Sequence, residues 1–590
     1  MFLRSNRRIK DGKEHRYWNI VENRRAASGK TVQQQVLYLG EINDRQRVAW
    51  QKTVELFEDG CERPRQVALF PEDREEIVSD EEVVRIRLKD MQLHNPRQWG
   101  ACWLGTHLYD LLGLDEFWKS RLSASRKKTR WDLILKLLVC YRLIEPGSEW
   151  RLHRHWFDTT AMGDLLGEDC ALSEIHKLYR CHDRLLAHKR ELFQHLQQRW
   201  KDLFNASFEV LLYDLTSTYF ESDPPADPND KRKFGYSRDK RFDCVQVVIA
   251  LVVTPDGLPL AYEVMSGNTR DSSTLKGFLK KIADTYGKAE RIWVMDRGIP
   301  TEEVLEQRRQ SDPPVYYLVG TPKGRLTKLE KSFTEKDWQQ VRDNLEVKLC
   351  HCDGELYVLA QSHARIGKER GIRRRKLKKL WGRLCDLQAM KGISRDELIL
   401  KLGGAKKDAG RVWHLVEVTL PKPDEKPTPD TFSFALNKTK LRLTIRREGR
   451  YLLRSNLSAD DPGRLWKLYT QLTQVEEAFK NLKGDLCVRP IHHQKEDRVE
   501  AHIFIAFVAY CLHATLRLRL AQTASGLTPR SVLESFATMS MIDVHLPTTD
   551  ARTVILTRYT QPSKKVKLIL DQLRLTLPEQ PPPKIASSNG

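Results

Sequence analysis

The sequence predicts an α+β protein of several domains: an α/β core interrupted by a β-rich insertion, with a small β-rich N-terminal unit and a helical domain ahead of the core. Three observations predict it. At 590 residues the chain exceeds what one hydrophobic core organises, so roughly three to five structural units are expected. Apolar residues recur at helical spacing in Leu133-Ile-Leu-Lys-Leu-Leu-Val139 and again from Leu178 to Trp200. From about residue 206 the chain reads strand, strand, strand, helix, strand, helix, strand.

Residues 1–65 form the small β-rich unit, with a turn at Asp11-Gly12 feeding one strand and Gln35-Val-Leu-Tyr-Leu-Gly40 as another. Residues 66–205 are helical and are the expected DNA-reading domain, with Arg126–Arg130 as a basic helix entry. Their histidines, among them His153, His155, His176, His182 and His188, lack cysteine or paired-carboxylate spacing and read as surface or packing residues.

The core opens at 206–325. Its first strand, Glu209-Val-Leu-Leu-Tyr-Asp-Leu-Thr-Ser-Thr218, carries Asp214. Cys244–Val253 is the second strand, and Pro255-Asp-Gly-Leu-Pro259 turns into a third, Leu260–Met265. A helix from about Ser272 to Tyr286 precedes the strand Arg291-Ile-Trp-Val-Met-Asp296. Pro300 and the acids after it start the next helix, and Val315–Val319 is the fifth strand. This order matches a ribonuclease-H-like fold, in which one acid lies on the first strand and a second closes the fourth.

Residues 326–460 read as the insertion: a basic helix over Arg365–Arg383, then strand-like runs Val412–Leu420, Phe432–Leu436, Leu441–Arg446 and Tyr451–Arg454, with Pro421–Pro429 as an exposed linker. Trp381 and Trp413 in this insert suit core packing. The core resumes at 461–545, including a helical stretch Tyr469–Lys483 and the apolar run His502–His513, a core helix too short to span a bilayer. Residues 546–590 read as a tail.

The formal net charge is +21, and basic residues cluster in Lys231-Arg-Lys233, Arg373-Arg-Arg-Lys-Leu-Lys-Lys379 and Arg442–Arg447, which points to a polyanion partner. Eleven cysteines with no C-x-x-C pair fit a reducing compartment. The first residues hold no apolar stretch of signal-peptide length. A cytoplasmic protein, not a membrane protein, is expected.

The chemistry rests on Asp214, Asp296 and Glu476. A carboxylate inside an apolar strand is costly unless paired or metal-bound. Two such strands followed by an acidic helix suggest hard oxygen ligands converging on Mg²⁺, with Mn²⁺ as substitute. That equipment suits phosphoryl transfer, in which two divalent ions bracket a scissile phosphate. Seven residues make nearly two helical turns, so Tyr469, Glu476 and Lys483 are expected on one face of one helix, with Glu477 rotated by about 100° as the rival ligand.

Together these residues resemble a DDE transposase of a bacterial insertion sequence, in the group with a Y-x2-R-x3-E-x6-K signature. Tyr469, Glu476 and Lys483 match that pattern, and Leu472 replaces its arginine. Gly235-Tyr-Ser-Arg-Asp-Lys-Arg-Phe-Asp-Cys-Val-Gln246, Gly257-Leu-Pro-Leu260, Gly267-Asn-Thr-Arg-Asp271 and Arg489-Pro-Ile-His-His493 resemble the same group. The resemblance implies Asp214, Asp296 and Glu476 as catalytic metal ligands for two ions. It implies phosphate contacts from Tyr469, Lys483, Lys240, Arg241 and Arg297. The expected reaction is metal-dependent cleavage at element ends and strand transfer, on double-stranded DNA (terminal inverted repeats and target), by a homodimer on paired ends. Two alternatives stand beside it: a ribonuclease-H-like nuclease without strand transfer, and a catalytically silent transposase-derived DNA-binding protein.

Overall fold

The computed structural model describes the chain except residues 11–12, 26–30, 45, 49, 52–84, 123–128, 169, 270–276, 279–280, 283–290, 297–299, 311–314, 322–328, 330–332, 334–335, 343–344, 353, 391, 424, 458–460, 490, 551 and 588–590. The expected Asp11-Gly12 turn, most of the Ser272–Tyr286 helix, Arg297 and most of the Arg126–Arg130 cluster lie outside the described residues. Two compact units emerge: Met1–Ala289 with Gln471–Gly590, and Glu290–Thr470. Both mix helices and sheets.

The first unit begins with an antiparallel sheet of β1 (Phe2–Lys10), β2 (Lys13–Arg25) and β3 (Thr31–Gly40), where Ile20, Leu37 and Leu39 are buried. Next comes β4 (Gln92–Gln98), followed by helices α1 (Gly100–Leu111), α2 (Leu114–Arg121), α3 (Trp131–Ile144), α4 (Ile175–His182) and α5 (Lys189–Phe204). The three- and four-residue apolar spacing shows here as buried stripes, such as Leu192, Leu196 and Trp200 on α5. The expected core strands follow as β5 (Val210–Phe220), β6 (Val245–Val253) and β7 (Pro259–Ser266), paired antiparallel in that order. Every residue of β6 is buried, which is why it reads as an apolar run broken only by Gln246.

In the second unit, β8 (Ile292–Met295), α6 (Glu302–Arg309) and β9 (Tyr316–Thr321) make a parallel β-α-β element. Thr301 caps α6 by accepting the Val304 N–H at 3.3 Å, and Glu302 and Glu303 complement its N-terminal dipole. Then come β10 (Gln339–Arg342), β11 (Leu345–Cys352), β12 (Glu355–Ser362), α7 (His363–Ala389), α8 (Arg395–Ala409), β13 (Val416–Thr419), β14 (Ser433–Leu436), α9 (Lys438–Arg446), β15 (Arg450–Ser455) and α10 (Pro462–Thr470). Strands pair in the order β10-β11-β12-β15-β9-β8. A buried cluster braces this sheet: Arg454 donates to Glu302 at 2.8 Å, and Glu355 accepts from Arg309 at 2.6 Å and from Tyr317.

The insertion is more helical than expected. α7 and α8 pack through Leu380, Leu384, Leu387, Leu398 and Leu402, with Phe432 and Trp413 against them, so Trp413 is a packing residue. Ser394 and Glu397 form a reciprocal capping box that starts α8. The Leu441–Arg446 strand is instead part of helix α9. Its alternating Leu441, Leu443 and Ile445 mimic a strand period, but Asn437 accepts the Lys440 N–H at 2.7 Å and starts a helix. Leu443 and Ile445 stay exposed.

Back in the first unit, α11 (Leu472–Lys483) packs on β5 and β6, and α12 (Glu496–Thr523) packs on α3 and β7. α12 extends well beyond the His502–His513 run. It is long and apolar enough to cross a bilayer, yet 94% of its most apolar window is buried within the protein. At about 1.5–3 kcal/mol for each buried large apolar side chain, it is the spine of this unit. The C-terminal stretch is no tail. After α13 (Pro529–Phe536), β16 (Ser540–Pro547), β17 (Arg552–Tyr559), α14 (Lys564–Leu573) and β18 (Lys584–Ser587) follow. The strands close a sheet ordered β18-β17-β16-β4, pinned by Arg97 donating to Asp543 at 3.0 Å.

Candidate active site and nucleic-acid interface

Asp214 sits in the middle of β5, half-buried between Tyr213 and Leu215. Its Oδ1 accepts the Leu215 N–H at 2.7 Å, which fixes one carboxylate oxygen against the backbone. Side chains alternate along a strand, so Asp214 shares a face with Thr216 and Thr218. Those threonines line a small cavity with Phe479, Leu482 and Lys483 of α11. The Asp214 face of β5 is therefore the face that α11 covers.

On α11, Val475, Ala478, Phe479 and Leu482 are buried, and Glu476 is exposed at the margin of that stripe. Helical periodicity puts Glu476 beside Phe479 and Lys483, on the side turned to β5. Glu477 faces differently. It acts electrostatically on the Tyr510 hydroxyl of α12, and Gln474, one turn before it, accepts from Arg517 at 2.9 Å.

Asp296 belongs to the second unit. It follows β8 directly and is exposed. The carboxyl end of a strand with a parallel neighbour is where α/β folds present ligand-binding groups. Tyr469 also lies in the second unit, on α10, and the chain turns at Gln471 before α11 begins. The expected single helix from Tyr469 to Lys483 is therefore two helices, and only Glu476 and Lys483 share one. Thr470 and Gln471 break the ladder, a polar pair inside an otherwise continuous periodic pattern.

The basic residues are less free than expected. The Lys483 ammonium lies 3.1 Å from both oxygens of Asp239, and Arg489 Nη1 lies 3.0 Å from Asp239 Oδ2. Burial, with Arg489 and Arg238 nearby, lowers the Lys483 pKa despite the Asp239 pairing. Arg241 donates to Asp243 at 2.9 Å and to Glu221 at 2.7 Å, which raises its pKa and holds Asp243 at about 2. The Tyr219 ring has the Arg241 and Arg489 guanidinia each 4.8 Å from its centroid. Lys240 is exposed in a left-handed turn at φ 61°.

Sequence reasoning passed over Phe234, Tyr236 and Phe242. All three are more than half exposed, on the segment that carries Arg238, Lys240 and Arg241. Exposed aromatic rings interleaved with cations are a stacking platform for nucleic-acid bases. The segment is tightly seated: a Cβ on Gly235 would fall 2.0 Å from the Gly267 carbonyl oxygen, and one on Gly267 would fall 1.9 Å from that of Gln246. Only glycine allows backbone to approach backbone this closely.

Carboxylate oxygens, without sulfur or imidazole, are hard donors that suit Mg²⁺ or Mn²⁺. An acid on β5, an acidic helix packed on that strand and a basic, aromatic surface in the same unit suit a nucleic-acid phosphoryl transferase. Residues 206–512 match the transposase DDE domain, more than half of the chain, and the protein belongs to the DDE transposases of bacterial insertion sequences. Residues 3–63 match the N-terminal domain of IS1634 family transposases. The chain is thus a DNA transposase, an enzyme that cleaves DNA and transfers strands, and domains of this family work with divalent metal. A solved structure, the cryo-EM structure of piggyBac transposase synaptic complex with hairpin DNA, is similar at 10% identity and a TM-score of 0.33, covering 76% of this chain and 82% of that one. No curated protein matches.

Proposed function

We propose that Asp214 and Glu476 of the first unit, with Asp296 of the second, hold two Mg²⁺ ions, and that the enzyme uses them to cut the ends of its own element and join the freed 3′-hydroxyls to target DNA. The observation that carries this reading is the packing of α11 on β5, where Thr216 and Thr218, on the same face as Asp214, line a cavity with Phe479, Leu482 and Lys483. The antiparallel β5-β6-β7 followed by the parallel β8-α6-β9 element supports a ribonuclease-H-like core.

Bound divalent ions supply Lewis-acid activation of the attacking oxygen and stabilise the leaving oxygen. The protein's own groups do the rest. The three carboxylates need no protein base beside them. Lys483 and Arg489, both engaged by Asp239, release to phosphate oxygens as the DNA backbone enters. Such contacts fix register without reading sequence. Lys240 adds a further phosphate contact, and Phe234, Tyr236 and Phe242 stack on unpaired bases near the cut. Arg241, committed to Asp243 and Glu221, orients Tyr219 instead. In the second unit, the exposed Arg375, Lys378 and Lys379 of α7 offer further phosphate contacts. A homodimer on paired ends completes the reading.

Incubating end-containing duplex DNA and Mg²⁺ with wild type and Asp296→Asn tests it. The variant binds the ends with wild-type affinity but yields no nicked or joined product. Equal cutting by both proteins removes Asp296 from the mechanism.

A further inference from the structure

Away from the carboxylates of the proposed active site, four side chains from distant segments meet in the interior of the first unit. Glu149 opens a single helical turn capped by Ser148, whose hydroxyl accepts the Arg151 N–H. His182 ends α4, His493 lies in the segment between α11 and α12, and His502 is in the second turn of α12. All four are buried, at 7% exposure or less.

Their geometry is that of a coordination sphere. Glu149 Oε1 lies 3.3 Å from His182 Nε2, 3.3 Å from His493 Nε2 and 3.4 Å from His502 Nδ1. One ligand atom from each of the four residues falls within 4.8 Å of every other. Four ligands held about 2.0–2.1 Å from a tetrahedral zinc are separated from one another by about 3.3–3.4 Å. The three separations from Glu149 have that length.

Hydrogen bonding gives an independent reason. His182 Nδ1 lies 3.0 Å from the Leu178 carbonyl oxygen, an acceptor only, so Nδ1 carries the proton. With Nδ1 committed to that carbonyl, Nε2 is the ring atom turned toward the Glu149 carboxylate. Neither His182 Nε2 nor His502 Nδ1 meets a partner at hydrogen-bond geometry among the described residues, and both are fully buried. A lone pair against a buried anion is repulsive unless a cation lies between them. Metal-bound histidines characteristically donate their remote N–H to a carbonyl, as His182 does to Leu178.

We propose that Glu149, His182, His493 and His502 bind one zinc-type divalent cation in a closed structural site. Imidazole selects zinc over magnesium, so the site is chemically separate from the carboxylate centre. It ties the helical region to the segment that leaves α11 and carries Arg489, and so fixes the platform on which Glu476 and Lys483 stand.

The test uses the full-length protein purified without chelator or affinity metal, with metal content read by mass spectrometry. One zinc per chain is expected, retained through dialysis against Mg²⁺. Removing it with a strong chelator lowers Tm, and zinc but not Mg²⁺ restores it. Cobalt added to the stripped wild type gives the visible bands of a tetrahedral site. Glu149→Gln and His493→Ala lose the zinc, whereas Asp214→Asn and the exposed His155→Ala keep it. If either cluster variant does not fold, the wild-type cobalt titration decides alone. A wild type without zinc and without cobalt bands overturns the proposal. Full zinc in folded Glu149→Gln and His493→Ala overturns it as well.

Discussion

Asp239 holds Lys483 through both carboxylate oxygens, each 3.1 Å from the ammonium nitrogen, and engages Arg489 at 3.0 Å from the same side chain. One acid thus masks two cations beside the helix that carries Glu476. Such a mask weakens non-productive binding to any polyanion. It also sets an energetic threshold that an entering phosphate has to cross.

Asp239→Asn removes the mask while keeping the shape. Two cations then face solvent and release more counterions when DNA binds. Affinity for duplex DNA rises by about threefold to tenfold at moderate salt, and the slope of log K against log salt steepens by about one to two. The gain is the same for element ends and for unrelated DNA, because phosphate contacts carry no sequence. Fluorescence anisotropy across a salt series measures both. Unchanged affinity would mean that Lys483 and Arg489 do not meet DNA.

The two neighbouring glutamates of α11 are separated by their faces. Glu476 shares a side of α11 with Phe479 and Lys483, whereas Glu477 acts electrostatically on Tyr510 of α12. Glu476→Gln removes a ligand charge and lowers strand cleavage by about a thousandfold, with end binding retained. Glu477→Gln changes cleavage by less than about threefold, within the range of a surface substitution. Cleavage rates at saturating Mg²⁺ on one labelled end distinguish the two. The reverse ranking would assign the metal to Glu477.

What the sequence made legible was local. Asp214 in an apolar strand, Asp296 closing another and a buried β6 all follow from period-two patterning with one charge out of place. The errors came from period and distance. Leu441, Leu443 and Ile445 alternate like a strand, but Asn437 caps a helix there. The two-turn spacing of Tyr469, Glu476 and Lys483 suggested one helix, and a turn at Gln471 divides it. The ion pairs of Arg241 with Glu221 and Asp243, and of Lys483 with Asp239, follow no spacing rule and could not be read from the sequence. The Glu149 cluster was invisible for a stronger reason: its ligands come from four segments, with none of the short repeats by which metal sites announce themselves. Only the histidines flanking the apolar run of α12 hinted that His502 is buried for a purpose.

The basic segment that begins at Lys231 depends on a buried ion pair at its root. Arg232 donates to Asp230 at 2.8 Å and to the Gln494 carbonyl at 2.7 Å, and both side chains of the pair are buried. Burial alone would raise the Asp230 pKa, but hydrogen bonds from Arg232 and the charges of Arg232 and Lys231 outweigh it and lower it below the usual 3.8. A carboxylate depressed by folding contributes stability that is fully present above its unfolded pKa and is lost as pH falls through the folded one. DNA binding through Lys240, Lys483 and Arg489 is therefore insensitive to this pair from neutral pH down to about 4, and Asp230 loosens the segment only in stronger acid. Asp230→Asn imposes that loss at every pH by leaving Arg232 without its counter-charge, at a cost of about 2–3 kcal/mol. Urea denaturation at pH 7 and at pH 3 measures it: the gap between wild type and variant is full at pH 7 and shrinks at pH 3. A gap of equal size at both values would place the contribution of Asp230 in shape rather than charge.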